Sequence, residues 1–503
     1  MLKPANGLSL PDDFLPGIPR VSGSSCLAVL GYPVGGTDSC RDWAESHVGK
    51  PLALALDRLL SLGEPRSASL ILRHCFWACR VNWILCTARV TVGRALAKST
   101  APLIRQAWDG IVGSVCSDLS WELAALPIRL GGAGIASPLP VSDAAAVSSW
   151  IGGVFGSTGG PTITVPIGFE SAVTNLVAIS PGLGRPLLAT LQSAGVAGLR
   201  NHPLRARWAD QSAWSEEIVK NRASSFDASA DIRLQGLRAA QESVGAGLWL
   251  TATPGSSSFV ASEWQLLLRF RVGSLCYPQG SVCAGCRKHM DAAGDHALSC
   301  PSNGTYRRHN HLRDRLFGLC QLAGWAPEVE QAIPGSRDRP VHFLLRACGP
   351  RPLAVDVTVS HPLRSSASSA VREGRSSAAA EAERLKVVQS KTVCQAAGWD
   401  FSPFGVDATG GMGPAARLLC CRLAKALAMR AGADTATLSE NVGTHISLAL
   451  AKGRGRCCVR RLLSHPRQFP SELIRSRVTT NNAGKTPAAP QTTGAWFAKP
   501  IRH

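Results

Sequence analysis

The sequence predicts a multidomain α + α/β chain that also carries a small metal-binding module. Apolar residues recur at intervals of three and four over residues 50–125 and 170–275, which is typical of amphipathic helices. Short β-branched segments bounded by turns lie between residues 325 and 410 and indicate strands. A cluster of cysteine and histidine at residues 283–300 separates the two patterns.

The composition indicates packed domains with a basic surface. Hydrophobic residues make up 45% of the 503 residues and charged residues 17%, which favours folded cores over general disorder. Lys and Arg number 54 against 34 Asp and Glu, so the net charge of +20 favours DNA or RNA as partner. The 17 cysteines are scattered and no signal peptide precedes them, which predicts reduced thiols in the nucleus or cytoplasm. Arginines interrupt the apolar stretches, so no membrane span is expected.

The pattern divides the chain into consecutive regions. A helical domain is expected at 1–160, ending in the glycine-rich loops of 127–160, and a second helical region at 161–275. The metal module follows at 276–315. The α/β domain at 316–432 contains the hairpin VHFLLRA and PLAVDVTVS, a helix at 364–397 and the strand FSPFGVDA. A basic extension at 433–477 and a disordered tail at 478–503 complete the chain.

The metal module has the spacing C-x2-C-x9-H-x3-C, formed by Cys283, Cys286, His296 and Cys300. Three cysteines and one histidine are a ligand set that holds structural Zn²⁺ in a tetrahedron. Zinc would contribute roughly 10 kcal/mol or more to folding a segment too small for its own core. His289 is the alternative histidine ligand, and chance clustering in a cysteine-rich chain is the alternative to any metal site.

Two clusters of basic residues are candidate phosphate contacts. They are Arg307, Arg308, His309 and Arg313 after the metal module, and Arg454, Arg456, Arg460 and Arg461 further on. The alternative is that these side chains only face solvent. Their position beside a zinc module favours nucleic-acid binding.

Several segments together carry a family resemblance. CAGCRKHMDAAGDHALSC, IPGSRDRP and LAVDVTVSHPL resemble the C-terminal part of non-LTR retrotransposon polyproteins that carry a restriction-like endonuclease. CLAVLGYPVGG and LPIRLGGAGI look like segments that follow the polymerase palm in those reverse transcriptases. The resemblance implies that 1–160 is thumb-like, that 161–275 is a linker, that 276–315 is a CCHC zinc knuckle and that 316–432 is a PD-(D/E)XK-type domain. The x9 and x3 spacings between the candidate zinc ligands differ slightly from the spacings that are usual in this family.

The resemblance also implies a catalytic centre. Nucleases of this type hold Mg²⁺ or Mn²⁺ between two acids on neighbouring strands, with a lysine near the attacking water. The second acid corresponds to Asp356, the lysine to Lys386, and an additional acid that could reach the metal to Glu328. His342 follows Arg339-Pro340 where the family has its first aspartate, and imidazole is a poor ligand for Mg²⁺.

Two alternatives to this centre remain open. Asp338 lies four residues before His342, but it would have to act from the turn instead of the strand. Residue type alone favours an ordinary exposed Lys386 that pairs along its helix with Glu381 or Glu383. A carboxylate in the apolar strand of Asp356, by contrast, needs a partner and is a good site candidate.

These features lead to one expected function and two alternatives. We expect a retrotransposon-derived nucleic-acid-binding protein with a degenerate metal-dependent DNA-nicking domain of the type used in target-primed reverse transcription. The alternatives are a non-catalytic, zinc-dependent nucleic-acid-binding module and a non-functional remnant of an element. The only Asp-Asp pair, Asp12 with Asp13, lies in a proline-flanked turn, so no polymerase palm is predicted.

Overall fold

The structure is a computed structural model that describes residues 26–29, 32–76, 81–156, 165–253, 259–300, 302, 305–332, 341–363 and 377–463. These residues form a mostly helical protein with a two-stranded hairpin and a four-stranded mixed sheet. The tail expected at 478–503, and the part of the basic extension after residue 463, lie outside the described residues.

The strands and helices are numbered in chain order. The strands are β1 (Cys26–Val29), β2 (Tyr32–Gly35), β3 (Pro327–Val329), β4 (Phe343–Leu345), β5 (Leu353–Ser360) and β6 (Asp400–Asp407). The helices of the first half are α1 (Thr37–Ala44), α2 (Lys50–Ser61), α3 (Pro65–Ile71), α4 (Asn82–Thr87), α5 (Val90–Val112), α6 (Asp118–Ala125), α7 (Ser142–Gly156), α8 (Phe169–Ile179), α9 (Pro181–Leu199), α10 (Arg205–Ala209), α11 (Gln211–Ser229), α12 (Ile232–Gln241), α13 (Leu248–Thr251) and α14 (Ala261–Arg271). Those of the second half are α15 (Asp295–Ser299), α16 (Thr305–Leu322), α17 (Ala378–Ala396), α18 (Pro414–Ala431) and α19 (Thr435–Leu463).

The predicted helices of the first half are confirmed, with one correction. The glycine-rich segment 127–160 was expected to be loop, but Ser142–Gly156 is a helix. Its small apolar residues Ala144, Ala145, Val147 and Ile151 are buried, so packing outweighs the low helix propensity of its glycines. The core around Trp108 also contains Trp249 and Trp264 from beyond the boundary expected near residue 160.

The four-stranded sheet confirms the predicted hairpin and the third predicted strand. β3, β4 and β5 are antiparallel neighbours, β6 runs parallel to β5, and α17 lies between these two strands in the sequence. One face of the sheet packs against α16, α18 and α19 through residues such as Phe343 and Val355. Cys394 of α17 contributes to the core on the other face. This arrangement brings His342, which directly precedes β4, and the middle of β5 close to α17.

The long helix α19 lies within the region that was expected to be a basic extension. It approaches α16 so closely that a Cβ on Gly453 would lie 3.1 Å from the Cα of Arg308. A Cβ on Gly455 would likewise lie 3.0 Å from the Cβ of Glu263 on α14. The two glycines of KGRGR therefore allow α19 to pack against two helices at once, and the segment is an integral part of the fold.

Candidate metal centre and a buried carboxylate cluster

The four predicted zinc ligands lie together. The Sγ atoms of Cys283 and Cys300 are 3.7 Å apart, and Cys286 Sγ is 3.3 Å from His296 Nε2. All four ligand atoms lie within 4.8 Å of one another. Zinc bonds of the usual lengths in a tetrahedron separate neighbouring ligand atoms by about 3.5–3.8 Å. The cluster therefore fits a metal ion such as zinc.

A tight turn forms the first half of this centre. The Cys283 N–H donates to Lys288 O, the Arg287 N–H donates to Cys283 O, and Arg287 adopts a φ of 60°. The Cys286 N–H donates to Cys283 Sγ at 3.3 Å. Burial acts to raise the pKa of the Cys283 thiol, but this N–H and the contact with His296 hold the pKa below its ordinary value. The turn thus favours the thiolate that a metal requires.

The short helix α15 supplies the second half and decides between the two histidines. The Asp291 carboxylate accepts from the N–H groups of Asp295 at 2.9 Å and His296 at 2.6 Å, which caps the helix. His296 and Cys300 thereby face the two thiols of the turn. His289 is exposed and pairs through its backbone with Val282, outside the ligand cluster. The structure therefore favours His296 as the ligand.

A second cluster surrounds Asp356 in β5, which is 1% exposed. His342 Nδ1 lies 2.7 Å from one carboxylate oxygen of Asp356, and Lys386 Nζ lies 3.0 Å from the other. The Val357 N–H is 3.1 Å from the same nitrogen of His342. Asp356, His342 and Lys386, which were predicted as catalytic positions, therefore meet around one buried carboxylate.

The alternative partners of Lys386 are engaged elsewhere. Glu381 binds Arg384 in an exposed pair. Glu383 is buried and accepts hydrogen bonds from the backbone N–H groups of Gly405, Ala415 and Ala416, although burial raises the pKa of its carboxyl. The expectation of an intrahelical ion pair for Lys386 is wrong, because the lysine reaches across to the neighbouring strand.

Glu328 and His309 lie in places other than those expected. Glu328 pairs with Arg346 at 2.9 Å and does not contact Asp356. His309, expected to bind phosphate, packs its ring against His342 with centroids 4.4 Å apart, and its Nε2 lies 2.9 Å from Val357 O. Burial lowers the pKa of His309, and the nearby His342 lowers it further. The alternative acid Asp338, together with Arg339 and Pro340, lies outside the described residues.

The arginines expected to contact phosphate differ in their exposure to solvent. Arg307, Arg456 and Arg460 are exposed, whereas Arg313 pairs with Asp314 and the side chain of Arg461 lies outside the described residues. Arg308 and Arg454 are only 4% and 2% exposed. Arg454 donates to Ala408 O at 2.7 Å and lies over the rings of Trp249 and Phe270. These two guanidinium groups are therefore buried inside the fold and are not exposed to solvent.

The two most specific sequence motifs are in direct contact. His361, from the motif DVTVSHPL, is 4% exposed, and its Nε2 lies 3.2 Å from Oδ1 of Asp295, from the motif GDHALSC. Arg233 of α12 donates to the other oxygen of Asp295. Sequence reasoning singled out both motifs but not this link. It joins α15, which contains the ligand His296 and directly precedes the ligand Cys300, to the end of β5.

Replacing His361 with leucine is expected to weaken zinc retention about tenfold, because Asp295 loses one of the two side chains that orient α15. Competition with a chromogenic chelator measures the zinc affinity. His289→Leu is the matched control, since His289 is a histidine of the same module outside the cluster. Equal affinities of the two variants would contradict the structural link.

Comparison with known proteins leaves the relationship open. No family model matches this chain, and no curated protein matches it either. Among the described residues, none of the helices is long and apolar enough to cross a bilayer.

Proposed function

We propose that this protein binds nucleic acid through a zinc-stabilised basic surface and that its nuclease-like centre no longer cleaves DNA. The resemblance to retrotransposon proteins with a restriction-like endonuclease motivates this assignment. The observation that carries it is the cluster in which His342 and Lys386 contact the two oxygens of buried Asp356. By this resemblance, the cluster corresponds to a nuclease centre with a changed ligand set.

The changed ligand set argues against cleavage with Mg²⁺. This cation prefers carboxylate and water oxygens, and its chemistry at a phosphodiester depends on two acids that share it. Here the imidazole of His342 stands next to Asp356 in place of the first acid. Within the described ranges, the Cys3His cluster is the only group of three or more potential ligands close enough to share an ion.

The exposed surface beside the metal centre supports binding. Tyr306, Arg307 and Arg460 lie near one another on α16 and α19, and the pKa of Tyr306 is lowered by Arg307 and, to a smaller degree, by Arg460. Tyr306 is 58% exposed, so its ring is accessible to a base while the guanidinium groups are accessible to phosphates. The hydroxyl of Tyr277 donates to Cys458 O at 2.9 Å and fixes the metal module to α19.

A supercoiled plasmid tests both parts of the proposal. The wild-type chain is expected to retard the plasmid in a salt-sensitive manner and to leave it unnicked with Mg²⁺ or Mn²⁺. His342→Asp is expected to restore nicking, because it returns the missing carboxylate to the strand next to Asp356. Gel electrophoresis separates retarded, supercoiled and open-circular forms.

Three controls make the outcome decisive. Asp356→Ala added to His342→Asp should abolish the restored nicking. Arg307→Glu should weaken retardation, whereas Arg58→Glu, an equal charge change on exposed α2, should not. Nicking by the wild-type chain that Asp356→Ala removes would identify an active nuclease instead. A chain that does not retard the plasmid at low salt would fit a non-functional remnant.

A further inference from the structure

A cavity that is widely open to solvent lies between the segment 127–141 and helix α11. It consists of two adjoining spaces of about 510 and 470 Å³ that share Pro127, Arg129, Ser215 and Val219 in their walls. Either space lies within the usual size range of ligand pockets. The proposed nuclease-like centre and the metal cluster do not use these residues.

Buried arginines hold the wall of this cavity in place. Arg271 donates to Ile128 O at 3.0 Å and twice to Gly132 O at 2.8 and 2.9 Å. Arg73 donates to Ala133 O at 3.0 Å from its Nε. Gly134 has a φ of +74°, and a Cβ there would lie 3.3 Å from Arg73 Nε. The cavity is therefore preformed.

The walls carry more positive than negative charge. Arg73, Arg129 and Arg222 line the larger space, whereas Glu216, which borders the smaller, is paired with Lys220 at 2.9 Å. Arg222 is paired with Glu122. Burial lowers the pKa of Arg73 to about 10, so it stays charged at neutral pH, and its Nη2 has no hydrogen-bond partner among the described residues. Arg129 is exposed at the mouth. An anionic group at the mouth would pair with Arg129, whereas the buried Nη2 of Arg73 is out of its reach and contributes only its positive charge.

The remainder of the wall is apolar. Ile128, Val141, Ile218 and Val219 line the larger space. A flat ring packs well against such side chains, and an adjacent phosphate would reach Arg129. We propose that this cavity binds one nucleotide unit, with its phosphate at Arg129 and its base against the apolar wall. The inference rests on the proposed nucleic-acid binding and assigns it a second contact site.

The experiment measures binding of the zinc-loaded full chain to a fluorescent single-stranded oligonucleotide by anisotropy. Ser215→Phe fills the cavity without a change in charge and is expected to weaken binding roughly tenfold, as loss of one base contact would. Arg129→Glu should weaken it at least as much. The matched controls are Ser224→Phe, at an exposed position on the same helix, and Arg58→Glu. Both should change the affinity by less than about twofold, since neither residue lines the cavity.

The outcomes separate this inference from the proposed function. If Arg307→Glu weakens binding but Ser215→Phe does not, the cavity assignment is overturned while the basic surface stands. If the wild-type chain binds no oligonucleotide, both the cavity assignment and the proposed nucleic-acid binding are contradicted. Displacement of the oligonucleotide by deoxyadenosine monophosphate in the wild-type chain, but not in Ser215→Phe, would support a nucleotide site that also takes the free compound. If deoxyadenosine monophosphate does not displace the oligonucleotide but Ser215→Phe still weakens oligonucleotide binding, the cavity contacts only polymeric nucleic acid.

Discussion

Replacing Cys283 and Cys286 together with serine is expected to lower the zinc content from about one ion per chain to none and to unfold the metal module. Zinc coordination contributes about 10 kcal/mol or more to the folding of such modules, because the ligands come together only in the folded state. Cys283, Met290, Ala297 and Leu298 share an apolar core with Phe270 of α14 and with residues of α19. Loss of the metal should therefore also loosen the packing around α14 and α19.

Metal analysis of the purified chain and thermal denaturation measure the two effects. The matched control is Cys75→Ser with Cys421→Ser, because both of these cysteines are exposed and lie outside the cluster. The control should keep its zinc and its melting temperature. A double variant at Cys283 and Cys286 that still binds one zinc per chain would remove the assignment of this centre.

Local patterns carried most of the correct sequence predictions. The x2 spacing of Cys283 and Cys286 encodes a chelating turn, and alternating β-branched residues encode the strands, so both follow from neighbours along the chain. The choice between His289 and His296 does not follow from neighbouring residues, because it depends on how Asp291 caps α15. A capping contact of this kind needs the folded turn before it can be identified.

Long-range contacts account for what sequence reasoning missed. The run KGRGR shows that the segment is positively charged, but it does not show which of its arginines are buried. Arg454 lies in the interior because Gly453 and Gly455 let α19 approach its neighbouring helices. The glycine spacing was the available signal for this packing. His309 reaches His342 because α16 lies beside the sheet, and the sequence contains no local signal for that contact.

The segment 127–132 illustrates how one buried arginine organises distant backbone. Arg271, in the last turn of α14, is 1% exposed, and burial lowers its pKa to about 9. Its guanidinium donates to the carbonyl oxygens of Ile128, Gly132 and Ala246. Such a planar group satisfies several carbonyls that would otherwise be buried without a donor.

Arg271→Met is therefore expected to lower the free energy of unfolding by roughly 3–5 kcal/mol, because it preserves much of the volume but leaves three carbonyls without their donor. Arg271→Lys keeps the charge but not the forked geometry, so it should recover only part of that loss. Urea denaturation measures both, and Arg58→Met on the exposed face of α2 is the control. If Arg271→Lys were as stable as the wild type, charge alone would suffice and the role of the forked donor would be disproved.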